Sequence, residues 1–207
     1  MRLILVRHGE SVGNAAGVLQ GRLDFGLSER GLAQAKLTAE RLRDAEAARV
    51  VSSPLKRAAQ TAGFVAEALD LELQLEPDLA EYDIGGGAGL TAPQLRERFP
   101  EMVQARLRGE RFLFPGEEGR DHFHARLADA LRRLREEEGT TIAVAHGGVI
   151  SAMCHLVVGL DLHRPGVFQV GNCSLTELAT DRAGRLVLVR HNDMCHLEGL
   201  ETTVDRG

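Results

Sequence analysis

The chain lacks the cysteine pairs, the basic excess and the long apolar runs that mark several common classes of protein. It has three cysteines among 207 residues and no C-x-x-C spacing, so neither a disulfide framework nor a paired-cysteine metal site is expected. A formal net charge of −5 favours neither nucleic acid nor an anionic membrane as partner. We therefore expect free thiols in a reducing compartment.

Long apolar segments are also missing. The run near the N-terminus, Leu3 to Val6, is far shorter than the hydrophobic part of a signal peptide or a membrane span. No low-complexity segment or linker divides the chain. We expect one domain over residues 1–207, located in the cytoplasm and without membrane contact. Pairing through an edge strand would give a homodimer, an arrangement that the sequence leaves open.

Short apolar runs alternate with helical patterns along most of the chain. The unbroken runs Leu3–Val6, Val50–Val51 and Thr140–Ala145 are typical of strands covered on both faces of a parallel sheet. Helical patterns follow, one after a cap at Ser28 and one with Ser53 as N-cap and Pro54 at the first helical position. The alternation predicts an α/β three-layer sandwich, with a mostly parallel, doubly wound sheet and helices on both faces.

The segment of about residues 88–119 interrupts this alternation. It follows the glycine-rich stretch "YDIGGGAG" and has a helical pattern from Thr91 onward. We interpret it as an insertion. It either lies over a site as a lid or forms an ordinary excursion on the surface, and both interpretations stay open at this stage.

Unusual polar residues follow three of the predicted strands. Arg7 and His8 follow the first, Arg57 lies one helical turn after the second, and His146 follows the third. Ligands of open α/β sheets bind beyond the carboxyl ends of the strands. There, two arginines could bind phosphate oxygens, and a neutral imidazole could attack phosphorus. Glu81, before the glycine-rich stretch, is a candidate to protonate the leaving oxygen.

Several segments resemble the histidine phosphatase superfamily, the phosphoglycerate mutase-like enzymes. They occur in the family's order across most of the chain: "LVRHGESVGN", "GRLDFGLSERGLAQA", "SSPLKRAAQTA", "LAEYDIGGGAGLT", "PGEEGRDHFHAR", "VAHGGVI" and "GNCSLTEL". The resemblance implies that His8 becomes phosphohistidine and that Glu81 serves as general acid and then as base. It also implies hydrolysis without a metal or an organic cofactor.

The resemblance further implies a set of residues around the phosphate. Arg7, Arg57 and His146 would hold it, Asn14 would add a hydrogen bond, and the backbone N–H of Gly147 would reach it. Two more residues, Gly21 and Arg22, would line the rim of the site. The expected partner is a small-molecule phosphate ester.

The residues after the acid favour a phosphatase over a mutase. Mutases of this family carry Arg-His-Tyr-Gly there, whereas this chain has Tyr82, Asp83, Ile84 and Gly85, and Asp83 would repel a second anionic group. We therefore expect a phosphomonoesterase. The alternatives are a phosphoglycerate mutase and a catalytically silent protein that binds a phosphorylated ligand.

Other histidines receive simpler interpretations. A second Leu-Val-Arg-His copy ends at His191, which we interpret as a chance echo placed at the wrong edge of the sheet. His122 and His124 are expected at the surface, and Glu118 with Arg126 as a structural ion pair. No metal site is expected at the remaining histidines near cysteine or aspartate, which are His155, His163 and His196.

Overall fold

A computed structural model of the chain describes residues 1–136, 138–161 and 167–200. Within these ranges six strands form one mixed sheet. The strands are β1 (Arg2–Arg7), β2 (Ala47–Ser52), β3 (Leu73–Leu75), β4 (Thr140–Ala145), β5 (Leu175–Thr180) and β6 (Leu186–Asp193). Their order across the sheet is β3-β2-β4-β1-β5-β6. The first four strands in this order are parallel, which confirms the expected doubly wound core.

The α-helices of the described residues connect and cover these strands. They are α1 (Val12–Ala15), α2 (Glu29–Leu42), α3 (Lys56–Leu69), α4 (Ala92–Arg98), α5 (Pro100–Leu107), α6 (Arg120–Glu136) and α7 (Gly147–Val158). None of the helices described here is both long and apolar enough to span a bilayer.

Two hydrophobic layers sandwich the sheet because successive strand residues point to opposite faces. Leu3 and Leu5 of β1 pack with α6 and α7, while Ile4 and Val6 pack with α2 and α3. This arrangement confirms the predicted three layers.

The helix starts are only partly as predicted. Ser28 caps α2, since its hydroxyl accepts the N–H of Gly31 at 3.0 Å. The predicted cap at Ser53 is wrong, because α3 begins at Lys56 after Leu55. The hydroxyl of Ser53 lies instead 2.8 Å from the imidazole of His146.

Strand direction also corrects the expectation for His191. β5 is antiparallel to β1, and β6 is antiparallel to β5. The two reversals return β6 to the direction of β1, so His191 lies toward the same edge of the sheet as the end of β1 and not the opposite edge. β5 still separates the two strands, and His191 Nε2 lies 2.9 Å from the carbonyl oxygen of Gln169.

The segment predicted as an insertion contains α4, α5 and a following loop. Its aromatic side chains Phe99, Phe112 and Phe114 pack on one another with ring centroids 5.2–5.7 Å apart. Its first residues pair with the loop after α1 through a bridge between Val18 and Thr91. Leu90, Ala92 and Leu95 of this segment line the same cavity as Arg7 and His8, which favours the lid interpretation. Its boundaries and the single-domain organisation remain predictions.

A close approach of α2 to the residues after β1 positions the end of that strand. A Cβ atom added at Gly31 would overlap the carbonyl oxygen of Glu10, and one added at Gly9 would lie 2.6 Å from the carbonyl oxygen of Gly31. Only glycine at both positions allows the two backbones to come this close.

We expect Gly31→Ala to lower the free energy of unfolding by about 3 kcal/mol, because overlap with backbone cannot be relieved by a side-chain rotation. Gly63→Ala in α3 is the matched control, since nothing lies within 4 Å of an added Cβ there. It should be neutral or raise stability by up to about 1 kcal/mol. Urea denaturation measures both, and equal effects of the two variants would contradict this account.

Candidate active site

The ends of three adjacent parallel strands meet at one cavity. β4 lies between β1 and β2 in the sheet, so Arg7, His8 and the residues after β2 and β4 converge. The cavity has a volume of about 470 Å³. It is lined by Arg7, His8, Asn14, Gly17, Val18, Leu19, Gln20, Gly21, Arg57, Glu81, Tyr82, Ile84, Leu90, Ala92, Leu95 and Gly148.

The imidazole of His8 is held in one tautomer. Nδ1 lies 2.6 Å from the carbonyl oxygen of Gly9, and Nε2 receives the Nε–H of Arg57 at 3.2 Å. A guanidinium only donates and a carbonyl only accepts, so Nδ1 carries the proton and Nε2 has the lone pair. Burial, with Arg7 and Arg57 nearby, lowers the pKa of His8 well below 6.5. The ring is therefore neutral and can act as a nucleophile.

The backbone around His8 is fastened by residues that sequence reasoning missed. The amide of Asn172 donates to the carbonyl oxygen of His8 at 3.1 Å, and the N–H of Cys173 donates to that of Arg7 at 3.0 Å. Thr61, one turn after Arg57, accepts the N–H of Gly9 at 3.0 Å. Asn172 and Cys173 lie in the segment "GNCS", and Thr61 lies in "QTA". Neither segment by itself indicates that its residues form hydrogen bonds to the backbone at the end of β1.

The two arginines enter the site with their guanidinium groups anchored to backbone. Arg57 is 1% exposed and donates to the carbonyl oxygens of Gly21 at 2.8 Å and Leu23 at 2.7 Å. Arg7 donates to the carbonyl oxygen of Val170 at 2.5 Å. These carbonyls orient the guanidinium groups without neutralising their charge, so the positive potential stays directed at the cavity.

His146 lies directly behind His8, with ring centroids 5.1 Å apart. Nε2 of His146 lies 2.8 Å from Ser53 Oγ, which also accepts the N–H of Leu55 at 3.3 Å. Nδ1 makes no hydrogen bond to any described residue although it is buried. Burial lowers the pKa of His146 well below 6.5, so the ring offers one N–H and no positive charge.

Glu81 reaches the cavity from the loop after β3. Its carboxylate accepts the backbone N–H of Gly148 at 3.0 Å and that of Tyr82 at 2.9 Å. Its backbone carbonyl oxygen accepts hydrogen bonds from Arg22 at 3.3 Å and from Arg126 at 3.2 Å. Both ends of the residue are therefore fixed in place.

Glu118 connects the insertion to this acid. It pairs with Arg126 at 2.8 Å and with Arg22 at 3.2 Å, which confirms the expected ion pair. Burial acts to raise the pKa of Glu118, but hydrogen bonds from Arg126 and the N–H of Asp83 lower it below its ordinary value. The carboxylate thus stays ionised and holds both arginines on Glu81.

The residues predicted from the sequence are mostly brought together. His8, Arg7, Arg57, Glu81, Asn14 and Gly21 line the cavity, and Gly148 does so in place of Gly147. Arg22 and His146 are not among the lining residues: Arg22 is exposed, and His146 is buried next to His8. The N–H predicted for Gly147 as a phosphate contact remains a prediction.

Other expectations are corrected. Asp83 is not among the lining residues, since its carboxylate accepts the N–H of Gly85 at 3.0 Å; it therefore does not repel a substrate from inside the cavity. His124 is buried beside Phe123 and is not at the surface, whereas His122 is exposed as expected.

Within the described ranges, no three histidine, cysteine, aspartate or glutamate residues are grouped so that they could hold a metal ion. His163 lies outside those ranges.

The sheet-edge cavity, with a neutral histidine between two arginines, defines a phosphoryl-group site. Comparison with known proteins specifies the class. A family model described as histidine phosphatase superfamily (branch 1) matches residues 3–194. Phosphoserine phosphatase 1 of Hydrogenobacter thermophilus is 34% identical over 200 residues, which cover 95% of this chain and 94% of that protein.

Two further relatives are described as a phosphoglycerate mutase and a phosphoserine phosphatase. A probable phosphoglycerate mutase of Yersinia pestis is 29% identical over 205 residues, covering 96% of this chain and 95% of that protein. The structure of phosphoserine phosphatase from Entamoeba histolytica in complex with 3-phosphoglyceric acid superposes with a TM-score of 0.80 at 28% identity, covering 95% of this chain and 98% of that one.

The chain belongs to the histidine phosphatase superfamily (branch 1). It is a phosphoric monoester hydrolase, and hydrolysis through a phosphohistidine fits the family and the site.

The two active-site histidines, His8 and His146, should make stability depend on pH. In the unfolded chain they take up protons near pH 6.5, while in the folded protein they stay neutral, so the unfolded state binds more protons below that pH. The free energy of unfolding should therefore fall as the pH drops below about 6.5, by up to about 1.4 kcal/mol per pH unit for each histidine.

Urea denaturation between about pH 5 and 8 measures this slope. His146→Gln should reduce it by up to about 1.4 kcal/mol per pH unit, and so should His8→Gln. His122→Gln is the matched control, since this side chain is exposed, and it should keep the wild-type slope. A wild-type slope in both active-site variants would overturn the account.

Proposed function

We propose that His8 is the nucleophile of a two-step phosphomonoesterase. Its Nε2 attacks phosphorus in line with the leaving oxygen, and the P–O bond to the alcohol breaks as the P–N bond forms. In the second step water attacks the phosphohistidine and releases inorganic phosphate. The observation that carries this proposal is the Nε2 lone pair of a neutral, buried imidazole, which faces the guanidinium of Arg57 inside the cavity.

The phosphate is held, in this proposal, by groups already aimed at the cavity. Arg7 and Arg57 balance its charge, and Arg57 Nε exchanges His8 for a phosphate oxygen when the substrate enters. The N–H on His146 Nδ1, which has no described partner, gains one in a phosphate oxygen, while Asn14 adds a hydrogen bond. Gly21, Arg22 and Gly147 complete the surroundings as rim and backbone groups.

Glu81 is proposed as the general acid and then the general base. It protonates the leaving oxygen in the first step, because an alkoxide is a poor leaving group. The resulting carboxylate then accepts a proton from the attacking water, which returns the enzyme to its starting state. Its position at the cavity wall supports the acid role, and the two backbone N–H groups that its carboxylate accepts support the base role.

The setting is proposed to be the cytoplasm, with a small-molecule phosphate ester as substrate and no nucleic acid or membrane as partner. Three free cysteines support a reducing compartment, and burial raises the pKa of the Cys154 and Cys173 thiols to about 12, which keeps them protonated.

The exposed side chains of Val187 and Val189 on edge strand β6 favour a homodimer through this edge. Analytical ultracentrifugation, which measures the mass of the particle in solution, would test this arrangement.

His8→Ala should abolish turnover and phosphoenzyme formation, because no other lining group can form the P–N bond. The measurement mixes the enzyme with a ³²P-labelled aryl phosphate, quenches in alkali, in which phosphohistidine survives, and counts protein-bound label. His191→Ala is the control from the second Leu-Val-Arg-His copy and should keep activity within about threefold. Label retained by the His8 variant would sink the proposed nucleophile.

Glu81→Gln should slow hydrolysis of alkyl phosphates by about 10²–10⁴-fold. It should slow the first step much less for an aryl phosphate whose phenol leaves without protonation. Single-turnover rates across esters of graded leaving-group acidity measure the difference. The same loss for every ester would show that Glu81 does not protonate the leaving group.

A further inference from the structure

The cavity has two chemically different ends. The phosphate end contains His8, Arg7 and Arg57. The rest of the lining, where the leaving group must lie, is mostly apolar: it contains Val18, Leu19, Ile84, Leu90, Ala92 and Leu95, besides the polar side chains of Asn14, Gln20 and Tyr82. Leu19 is 39% exposed, which is unfavourable for a leucine unless something covers it.

This apolar wall is preformed. Leu19 and the insertion are joined by two backbone hydrogen bonds, from the N–H of Leu19 to Leu90 and from that of Gly89 to Leu19, both 2.9 Å long. Ile84 packs against Gly21, where an added Cβ would lie 2.7 Å from Cγ1 of Ile84. The wall therefore needs no rearrangement to receive a ligand.

The charges around the cavity disfavour an anionic leaving group. Among the described lining residues the cations are Arg7 and Arg57, both at the phosphate end, and the other charged residue is Glu81. The nearby arginines outside the lining already have carboxylate partners: Arg22 and Arg126 share Glu118, and Arg111 pairs with Glu117 at 2.6 Å. A carboxylate on the leaving group would be desolvated against leucine and isoleucine without a described counter-charge.

We propose that the substrate is the phosphate ester of an uncharged alcohol with an apolar body, and not a phosphorylated hydroxy or amino acid. Ile84 and Leu19 select it by contacting the apolar body. This inference rests on the proposed function, and it separates the chain from relatives whose names specify phosphoserine.

The test compares two esters that differ in one charge. Pentyl phosphate and 4-phosphonooxybutanoate have similar length and both release a primary alcohol, but only the second carries a carboxylate. The wild-type kcat/KM should favour pentyl phosphate by about 30-fold or more, because the carboxylate loses its water without gaining a partner. Equal values, a preference for the carboxylate ester, or turnover of neither would overturn the proposal.

Two variants should shift this ratio. Leu19→Arg and Ile84→Arg each place a cation in the apolar wall and should move the ratio toward the carboxylate ester by about tenfold. Leu19 is partly exposed, so its variant remains informative even if the Ile84 variant fails to fold. Leu37→Arg is the matched control: Leu37 on α2 is 39% exposed, as Leu19 is, and lies outside the cavity, so the added charge should leave the ratio unchanged. An unchanged ratio in Leu19→Arg would count against the proposed wall.

Protein-bound label formed from an aryl phosphate and stable in alkali tests the proposed function separately from the proposed leaving group. If the phosphoenzyme forms but the carboxylate ester is preferred, only the proposed leaving group is wrong. If no phosphoenzyme forms with any ester, the proposed function fails, and this inference fails with it.

Discussion

The hydrogen bond from His8 Nδ1 to the carbonyl oxygen of Gly9 is the interaction on which the site depends. It places the only ring proton on the side away from the cavity, so the lone pair of Nε2 faces Arg57. This hydrogen bond forms only while the carbonyl oxygen of Gly9 stays in place just after the end of β1. The contacts of Thr61 and Asn172 with this backbone therefore serve the chemistry of the ring.

Burial creates a site that is positively charged and yet contains neutral imidazoles. Both histidines are removed from water and face arginines, and each effect disfavours a second cation. Arg57 tolerates the same burial because backbone carbonyls accept its hydrogen bonds. The result is a positively charged site that attracts an anion, while His8 stays unprotonated at Nε2 and keeps its lone pair.

Glu81, the proposed general acid, depends on a different part of the chain. Arg22 and Arg126 both donate to the backbone of Glu81, and Glu118 of the insertion holds these two arginines. The same insertion contributes Leu90 and Leu95 to the apolar part of the cavity lining. One segment thus links the position of Glu81 to the shape of the part of the cavity that we propose contacts the leaving group.

The amino-acid sequence by itself determined the reactive groups and the strands that carry them. His8 lies between Arg7 and Gly9 directly after an apolar run, and this information is local, because strand period and adjacency in sequence place side chains at a strand end. Arg57 and His146 were likewise found from the strands that they follow, and Glu81 from its position before the glycine-rich stretch. The parallel core of the sheet followed from the alternation of runs and helices.

Only the tertiary structure decided which groups hold the reactive ones. Ser53 resembled a helix cap and proved to be the partner of His146, while His191 lies toward the active edge of the sheet because strand direction reverses twice after β1. Strand order, backbone-to-backbone approach and the burial of an apolar wall arise from contacts between residues far apart in the chain. No local pattern encodes such contacts, because they form only when all layers pack together.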